Sequence, residues 1–405
     1  MLFSGIQAGS PGKDEDIRIK AEKIHSEIIS IDSHNDTPLF LMRDGFDFSS
    51  KNDVKVNGSR VDIPRMTEGF LDGAFFAAFI SQGPLTPDGN ARAIEKITRI
   101  IDTIRSVVNR NPGKIELALS PADAARIKKS GKHIAFIGIE NGYAIGSDLS
   151  NISRFFQQGA RYITVCHSKN NDLCDSSTDT ILHQGLSQLG EKAVTEMNRV
   201  GMMIDVSHVS DQTFYDILNI SEVPVIASHS CARALCDNPR NLSDEMLRAL
   251  AKNDGVIQMC ILSDYVKKTP SNPKRDSAYA EFWKRNPDPD RLSDKERENL
   301  WDEWRRLDRM FPKNLATVSD VVDHIDHIVK IAGINHVGIG TDFDGGGGVT
   351  GCMHTGEMIN ITIELLNRGY CEKDIEKIWG GNLFRVMNKA LKYADKQANR
   401  TSAVR

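Results

Sequence analysis

The sequence lacks long apolar runs and carries no excess of basic charge. Its longest apolar runs, such as HIAFIGI at 133–139, have the length of a strand, whereas about 18 apolar residues are needed to span a bilayer. The 51 basic and 55 acidic residues give a net charge of −4, and no basic stripe is present. We therefore expect a soluble globular protein with no transmembrane segment and no nucleic-acid partner.

Several motifs that would fix a chemistry or a compartment are also missing. The seven cysteines are scattered without a C-x-x-C pair, which predicts buried reduced thiols rather than disulfides or a thiolate metal site. No G-x-S-x-G elbow of a serine hydrolase occurs, and GIGTDFDGGGG at 338–348 lacks the lysine of a phosphate-binding P-loop. The first sixteen residues lack the basic start and apolar core of a signal peptide. The sequence therefore does not decide between a cytoplasmic and a periplasmic or exported location.

Short β-branched apolar runs recur along the chain and alternate with amphipathic helical patterns. Most of the runs are continuously apolar, as expected for parallel strands that are covered on both faces. Eight such runs over this length predict one (β/α)8 TIM barrel rather than two doubly wound domains. The predicted strands lie at 28–32, 73–80, 133–140, 161–167, 201–208, 223–229, 255–262 and 336–344.

The predicted organisation is a single barrel with two tails and one insertion. We expect an N-terminal tail at 1–20, the barrel at 21–396 and a frayed C-terminal tail at 397–405. The segment 263–315, after the seventh strand, is charged, holds three of the four tryptophans and predicts two short helices. Since this segment must leave the barrel at its catalytic face, we expect a helical insertion that narrows the active-site pocket.

Histidine and acidic residues collect at the carboxyl ends of the predicted strands. A barrel brings all these ends to one face, where enzymes of this fold hold their active sites. Four of the eleven histidines lie there, and independent structural roles would not gather imidazoles and carboxylates at one end of the barrel. The side chains are His34 and Asp36 after the first strand, Glu140 after the third, His167 after the fourth, His208 after the fifth, His229 after the sixth, and Asp342 and Asp344 after the eighth.

This set of side chains indicates a catalytic metal centre. Imidazoles and carboxylates without thiolates favour zinc, iron or manganese in an open site. Four or five such groups are more ligands than one four-coordinate metal with an open position can use. Two metals that share a bridging carboxylate and a bridging water would use this number of ligands. Asp342, beyond this set, would take the proton from the attacking water and pass it to the leaving group. Asp32, two residues before His34, is expected to be a supporting carboxylate.

With these residues the sequence resembles the membrane (renal) dipeptidase family, peptidase family M19, within the amidohydrolase superfamily of metal-dependent barrel hydrolases. The superfamily features are the H-x-D of the first strand, the histidines of the fifth and sixth strands, and the aspartate of the eighth. The matching stretches extend from Ile31 to about residue 390 and include IDSHNDTP, GIENGYAI, ASHSCARALCDNPRN and GIGTDFDGG. The resemblance implies a dipeptidase that acts on small dipeptides, with a homodimer as a family-level expectation.

The resemblance also implies a role for each proposed ligand. His34 and Asp36 would bind one Zn²⁺, His208 and His229 would bind a second, and Glu140 would bridge the two ions. The resemblance does not exclude other divalent metals in place of zinc. A metal-bridging hydroxide would then attack the peptide bond.

Three further residues would complete the implied site. His167 would contact the substrate and stabilise the oxyanion, and Arg240, in DNPRN, would hold the substrate's terminal carboxylate. Asp342 would contact the substrate and shuttle the proton. Family members often carry a tyrosine just past the seventh strand, whereas QMCILSDY places Leu262 there and Tyr265 three residues later.

Two other functions share some of these features. A metal hydrolase of another bond, in an N-acyl amino acid, a lactone or a phosphoester, would keep the metal site and differ in the pocket, so a substrate panel separates it. A non-enzymatic binding protein on the same scaffold would hold no metal and hydrolyse nothing. The presence of every expected ligand together with Asp342 argues against this second reading.

Overall fold

Parallel strands form one sheet in the part of the chain that the computed structural model describes, residues 11–54, 58–287 and 292–403. The strands are β1 Ile31–Asn35, β2 Gly73–Phe79, β3 Ile115–Leu117, β4 His133–Glu140, β5 Ala160–Thr164, β6 Met203–Asp205, β7 Ile226–Ser230, β8 Val256–Met259 and β9 Val337–Ile339. Their spatial order is β1-β2-β4-β5-β6-β7-β8-β9, and β3 pairs with the first residues of β4. Eight of these strands correspond to the eight predicted from the sequence, and β3 is an addition.

Helices lie between the strands and cover the sheet. Most begin at a serine, threonine, asparagine or aspartate whose side chain accepts a backbone N–H of the first turn, as Ser243 does from Met246 at 3.3 Å. The helices are α1 Pro11–Glu27, α2 Pro38–Leu41, α3 Ile63–Glu68, α4 Pro87–Arg110, α5 Pro121–Lys129, α6 Ser150–Gln158, α7 Gln188–Val200, α8 Asp211–Ile220, α9 Asp244–Lys252, α10 Ser263–Val266, α11 Pro273–Arg285, α12 Asp294–Met310, α13 Val318–Ala332, α14 Ile359–Asn367, α15 Glu372–Glu376 and α16 Asn382–Ala403.

The sheet closes on itself between β1 and the segment that follows β9. The backbone N–H of Asp342 donates to the carbonyl of His34 at 3.0 Å, and the N–H of Asp36 donates to the carbonyl of Phe343 at 2.8 Å. The buried carboxylate of Asp32 accepts both the N–H and the hydroxyl of Thr341, each at 2.7 Å. These bonds confirm the predicted (β/α)8 barrel and join its first and last strands next to the polar strand ends.

Aromatic side chains fill the interior of the barrel below its polar end. The ring of Phe75 stacks on Phe136 with 4.6 Å between centroids and lies 5.3 Å from the ring of Tyr162. Side chains that are two residues apart on a strand share a face, so the next positions along β2 and β4 also point inward. These positions are Ala77 and Phe79 of β2, and Gly138 and Glu140 of β4.

The segment 263–315 contains α10, α11 and α12. Helices α11 and α12 pack through their aromatic rings, with 6.3 Å between the centroids of Trp283 and Trp301, and Arg275 pairs with Asp308 at 2.7 Å. Arg305 of α12 approaches Gly58, which lies between β1 and β2. The insertion therefore contacts the connection that leaves the barrel directly after β1.

The two ends of the described chain are helical. Helix α1 begins at Pro11 and α16 ends at Ala403, so both helices extend into the segments expected as tails. The rest of the expected tails, residues 1–10 and 404–405, lies outside the described residues. Within the described residues no helix combines the length and the apolar character needed to cross a membrane.

Replacing Gly138 by alanine should destabilise the barrel. A Cβ at this position would collide with the buried ring of Tyr162, and an overpacked core typically loses about 1–3 kcal/mol. Urea denaturation of the variant and the parent measures this loss in the free energy of unfolding.

Gly113→Ala is the matched control, because an added Cβ there would meet no atom within 4 Å. A surface change of this kind should alter the free energy of unfolding by no more than about 0.5 kcal/mol. Equal stability of the two variants would contradict the close packing inferred for Gly138.

Candidate metal centre

Imidazoles and carboxylates from four strand ends meet at the carboxyl end of the barrel. Nε2 of His34 lies 3.6 Å from one oxygen of Glu140 and 3.7 Å from a carboxylate oxygen of Asp36. Nε2 of His208 and of His229 lie 3.1 Å and 3.5 Å from the other oxygen of Glu140. The structure thus brings together the five residues that the sequence analysis predicted to be ligands, with Glu140 between the other two pairs.

The donor atoms are close enough to share metal ions. Three sets of ligand atoms each lie within 4.8 Å of one another, and Glu140 belongs to two of the sets. The residues could therefore hold more than one ion with Glu140 in common. The sets are His34 with Glu140 and His229, His167 with Glu140 and His208, and His34 with Asp36 and Asp342.

Buried polar atoms at this site lack hydrogen-bond partners among the described residues. These atoms include Nε2 of His34 and Oδ1 of Asp36, whose residues are 0% and 4% exposed. The ring nitrogens Nε2 of His208 and His229 face each other at 2.8 Å. Buried polar groups normally have partners because leaving them unpaired costs free energy. Divalent cations bound among these atoms would accept their lone pairs, so the site fits metal.

The charges at the site point to the same conclusion. In the described part of the chain, the ion pairs formed by Asp36 and Glu140 involve only histidines and no lysine or arginine. Burial, together with the charge of Glu140, raises the pKa of Asp36. Burial lowers the pKa of His34, but the adjacent Tyr162, Glu140 and Asp36 outweigh this effect and the net pKa is raised. A metal ion would supply positive charge that balances the carboxylates of Asp36 and Glu140.

The histidines of β7 and of the segment after β6 behave differently. Burial lowers the pKa of His208 and of His229 well below the ordinary value, and the positive charge of Arg240 adds to the effect. Both imidazoles are therefore neutral near pH 7, which is the form that binds metals.

Two of the imidazoles are oriented through their second nitrogen. Nδ1 of His34 lies 2.9 Å from the hydroxyl of Tyr162, and Nδ1 of His229 lies 2.9 Å from Oγ of Ser228. The Ser228 hydroxyl also contacts the buried carboxylate of Asp205 at 2.6 Å. Metal-binding histidines commonly have such partners. None of these three residues was predicted from the sequence, although Tyr162 lies within the strand predicted at 161–167.

The backbone at the site takes an uncommon conformation at several residues. The φ angles of His208, Asp342 and Asp344 are 71°, 57° and 68°, in the left-handed region that residues other than glycine rarely adopt. The side chain of Asp344 accepts the N–H of Arg60 at 2.6 Å and the hydroxyl of Thr37 at 2.9 Å. Asp344 thus ties together the segments after β1 and β9 and does not join the ligand cluster.

The three residues predicted to act on the substrate lie around the ligands. Nε2 of His167 is 3.7 Å from Glu140, and its side chain, 25% exposed, is more open than those of the predicted ligands. Arg240 is buried, donates through Nη2 to the carbonyl of His229 at 3.1 Å, and leaves Nε without a hydrogen-bond partner among the described residues. Burial raises the pKa of Asp342 well above its ordinary value, and the neighbouring Cys260 contributes.

Tyr265 lies next to this group. The guanidinium carbon of Arg240 is 5.3 Å from the centroid of the Tyr265 ring. The backbone carbonyl of Tyr265 accepts the side-chain amide of Asn241 at 2.8 Å, so α10 is tied to the Arg240 segment. A tyrosine from α10 therefore lies beside Arg240, whereas the sequence has Leu262 where the resemblance led us to expect a tyrosine.

The chain is similar to known dipeptidases over most of its length. The family model of the membrane dipeptidases, peptidase family M19, matches residues 18–401. Dipeptidase tcpJ of Claviceps purpurea is 30% identical over 88% of this chain and 76% of its own length. Dipeptidase ataJ of Aspergillus terreus is also 30% identical, over 92% of this chain and 87% of its own length.

Solved structures share the fold of this chain. The probable dipeptidase PvdM of Pseudomonas aeruginosa is 30% identical and superposes with a TM-score of 0.81, covering 95% of this chain and all of its own. A metallo peptidase of Rhodobacter sphaeroides, solved with a phosphinate mimic of the dipeptide L-Ala-D-Ala, shares the fold at 21% identity with a TM-score of 0.72, covering 90% of this chain and 99% of its own. The chain therefore belongs to the membrane dipeptidase family, peptidase family M19, and is a metallo-dipeptidase.

Proposed function

We propose that this metallo-dipeptidase hydrolyses the peptide bond of small dipeptides at a centre of two zinc ions. His34 and Asp36 would hold one ion, His208 and His229 the other, and Glu140 both. The observation that carries the proposal is the position of Glu140, whose two oxygens face different histidines at 3.1–3.6 Å. A single ion would leave one of these two groups of donors without a partner.

The chemistry divides between the metals and the protein. The ions, when bound, supply a Lewis acid for the scissile carbonyl and a means of activating water near neutral pH. Asp342 takes the proton from the attacking water and returns it to the leaving amine. His167 donates to the oxygen that becomes negative as the carbonyl is attacked. The raised pKa of Asp342 suits a carboxyl that must hold a proton within each cycle.

Residues around the metals would select substrates by their length and by their terminal carboxylate. Arg240 would bind the terminal carboxylate with its planar guanidinium, which agrees with the unpartnered Nε of this buried side chain. The insertion, whose Arg305 approaches the segment after β1, would narrow the entrance. Both features favour a short peptide with a free carboxyl end.

Removing metal should abolish dipeptide hydrolysis. After exhaustive chelation we expect no turnover of Leu-Gly, and titration with zinc should restore turnover as the bound metal approaches two ions per chain. Elemental analysis run in parallel with the assay measures both quantities. Hydrolysis by metal-free protein, or full activity at one ion per chain, would contradict the proposal.

Replacing Asp342 by asparagine should stop turnover without releasing metal. The amide cannot accept the proton, and loss of a general base typically costs about 10²–10⁴-fold in kcat. Asp102→Asn, on the exposed face of α4, removes the same charge and serves as the control. If Asp342→Asn lost its metal, the residue would be a ligand and the assignment as proton carrier would be wrong.

Replacing Arg240 by alanine should weaken the binding of substrates that end in a carboxylate. We expect KM for Leu-Gly to rise about tenfold or more, since a charge-assisted pair is lost, while the amide Leu-Gly-NH₂ is affected much less. Arg240→Lys keeps the charge without the planar guanidinium, so its KM for Leu-Gly should lie between those of the wild type and Arg240→Ala. An equal loss for the acid and the amide would exclude carboxylate recognition by Arg240.

A further inference from the structure

Phe79, the last residue of β2, is an apolar side chain at the polar end of the barrel. It pairs in register with Glu140 and shares the interior face of β2 with Phe75 and Ala77. Its ring lies 4.7 Å from the ring of His167 at an interplanar angle of 62°. The first six residues of β2 are buried, whereas Phe79 is half-buried. The ring thus points into the mouth of the barrel and remains partly open to solvent.

The position of Phe79 is fixed by a buried hydrogen-bond network. The N–H of Ile80 donates to the carbonyl of Glu140 at 3.3 Å. The side chain of Asn141, which is fully buried, donates to the carbonyl of Ile80 at 3.2 Å and accepts from Asn171 at 3.2 Å. The ends of β2 and β4 and the segment after β5 are therefore held together. A wall held in this way is preorganised for a ligand, because little entropy is lost when it is covered.

The surroundings of Phe79 are otherwise polar. Glu140 and His167 lie beside it, and Arg240 enters the site from the segment after β7, on the other side of the barrel. Covering a partly exposed aromatic ring with an apolar group removes both from water, which lowers the free energy. Covering it with a polar group gives no such gain. The ring packs against His167 and can itself neither bind a metal nor carry a proton, so its partly open face is left to contact the substrate.

We propose that Phe79 determines specificity by contacting an apolar side chain of the dipeptide on the His167 side of the scissile bond. The inference rests on the proposed function, since it names the substrate class of the same site. Dipeptides with an aliphatic or aromatic residue next to Phe79 are the favoured substrates. Glycine at that position makes no such contact, and a charged side chain would lose hydration against the ring.

Kinetics with three dipeptides test this contact. We compare kcat/KM for Leu-Gly, Gly-Leu and Gly-Gly in the wild type and in Phe79→Ala, Phe79→Gln and Phe79→Leu, with bound metal measured for each. In the wild type at least one leucine dipeptide should exceed Gly-Gly. In Phe79→Ala and Phe79→Gln this preference should fall about tenfold, mainly through KM, because contacts of this size are worth that much in substrate discrimination. Phe79→Leu should keep most of it.

Leu85→Ala is the matched control, since Leu85 is an exposed apolar residue in the same connection after β2. This variant should keep the wild-type preference. A fall of similar size in Leu85→Ala would show that the connection as a whole, and not the Phe79 ring, sets the preference, and would overturn the inference.

The remaining outcomes separate the two proposals. A metal-loaded wild type that hydrolyses none of the dipeptides would refute the proposed function itself. A wild type that hydrolyses them but shows no leucine preference, or a preference that is unchanged or higher in Phe79→Ala and Phe79→Gln with metal retained, would overturn only the role of Phe79. Loss of metal in both of these variants would also overturn it, because Phe79 would then support the metal centre.

Discussion

The buried carboxylate of Glu140 is the group on which the rest of the site depends. Nε2 atoms of four histidines, His34, His167, His208 and His229, lie 3.1–3.7 Å from its oxygens. In the described part of the chain its ion pairs involve histidines and no lysine or arginine, so bound metal ions would balance its charge. Burying an uncompensated carboxylate would be very costly. The hydroxyls of Tyr162 and Ser228 contact Nδ1 of His34 and of His229. These contacts would orient each Nε2 lone pair toward such ions.

The barrel and the site stabilise each other through the closure of the sheet. Asp32 of β1 accepts hydrogen bonds from Thr341, which follows β9. Asp344, which also follows β9, accepts hydrogen bonds from Thr37 and from the backbone of Arg60 after β1. The segments that carry His34, Asp36 and Asp342 are thus crosslinked by carboxylates that bind no metal in our proposal. The positive φ angles of His208 and Asp342 cost conformational free energy. They persist because the surrounding hydrogen bonds hold these segments in place.

The barrel, and the gathering of histidines and carboxylates at one end of it, could be predicted because both are visible in short stretches of sequence. Continuously apolar runs identify parallel strands, and a histidine such as His208 at the end of MMIDVSH is visible without knowing the fold. Strand β3 was missed since IEL is only three residues long and half-buried. Asp205 and Ser228 escaped notice because their role depends on which strands are neighbours in space. Phe79 escaped for a different reason: in one dimension, an apolar residue at a strand end looks like part of the core.

The central claim is that Glu140 lies between two bound metal ions, and anomalous diffraction from crystals of the zinc-loaded protein tests it most directly. We expect two anomalous peaks that flank the Glu140 carboxylate, one beside His34 and Asp36 and the other beside His208 and His229. A single peak at full zinc occupancy, or peaks remote from Glu140, would contradict the claim.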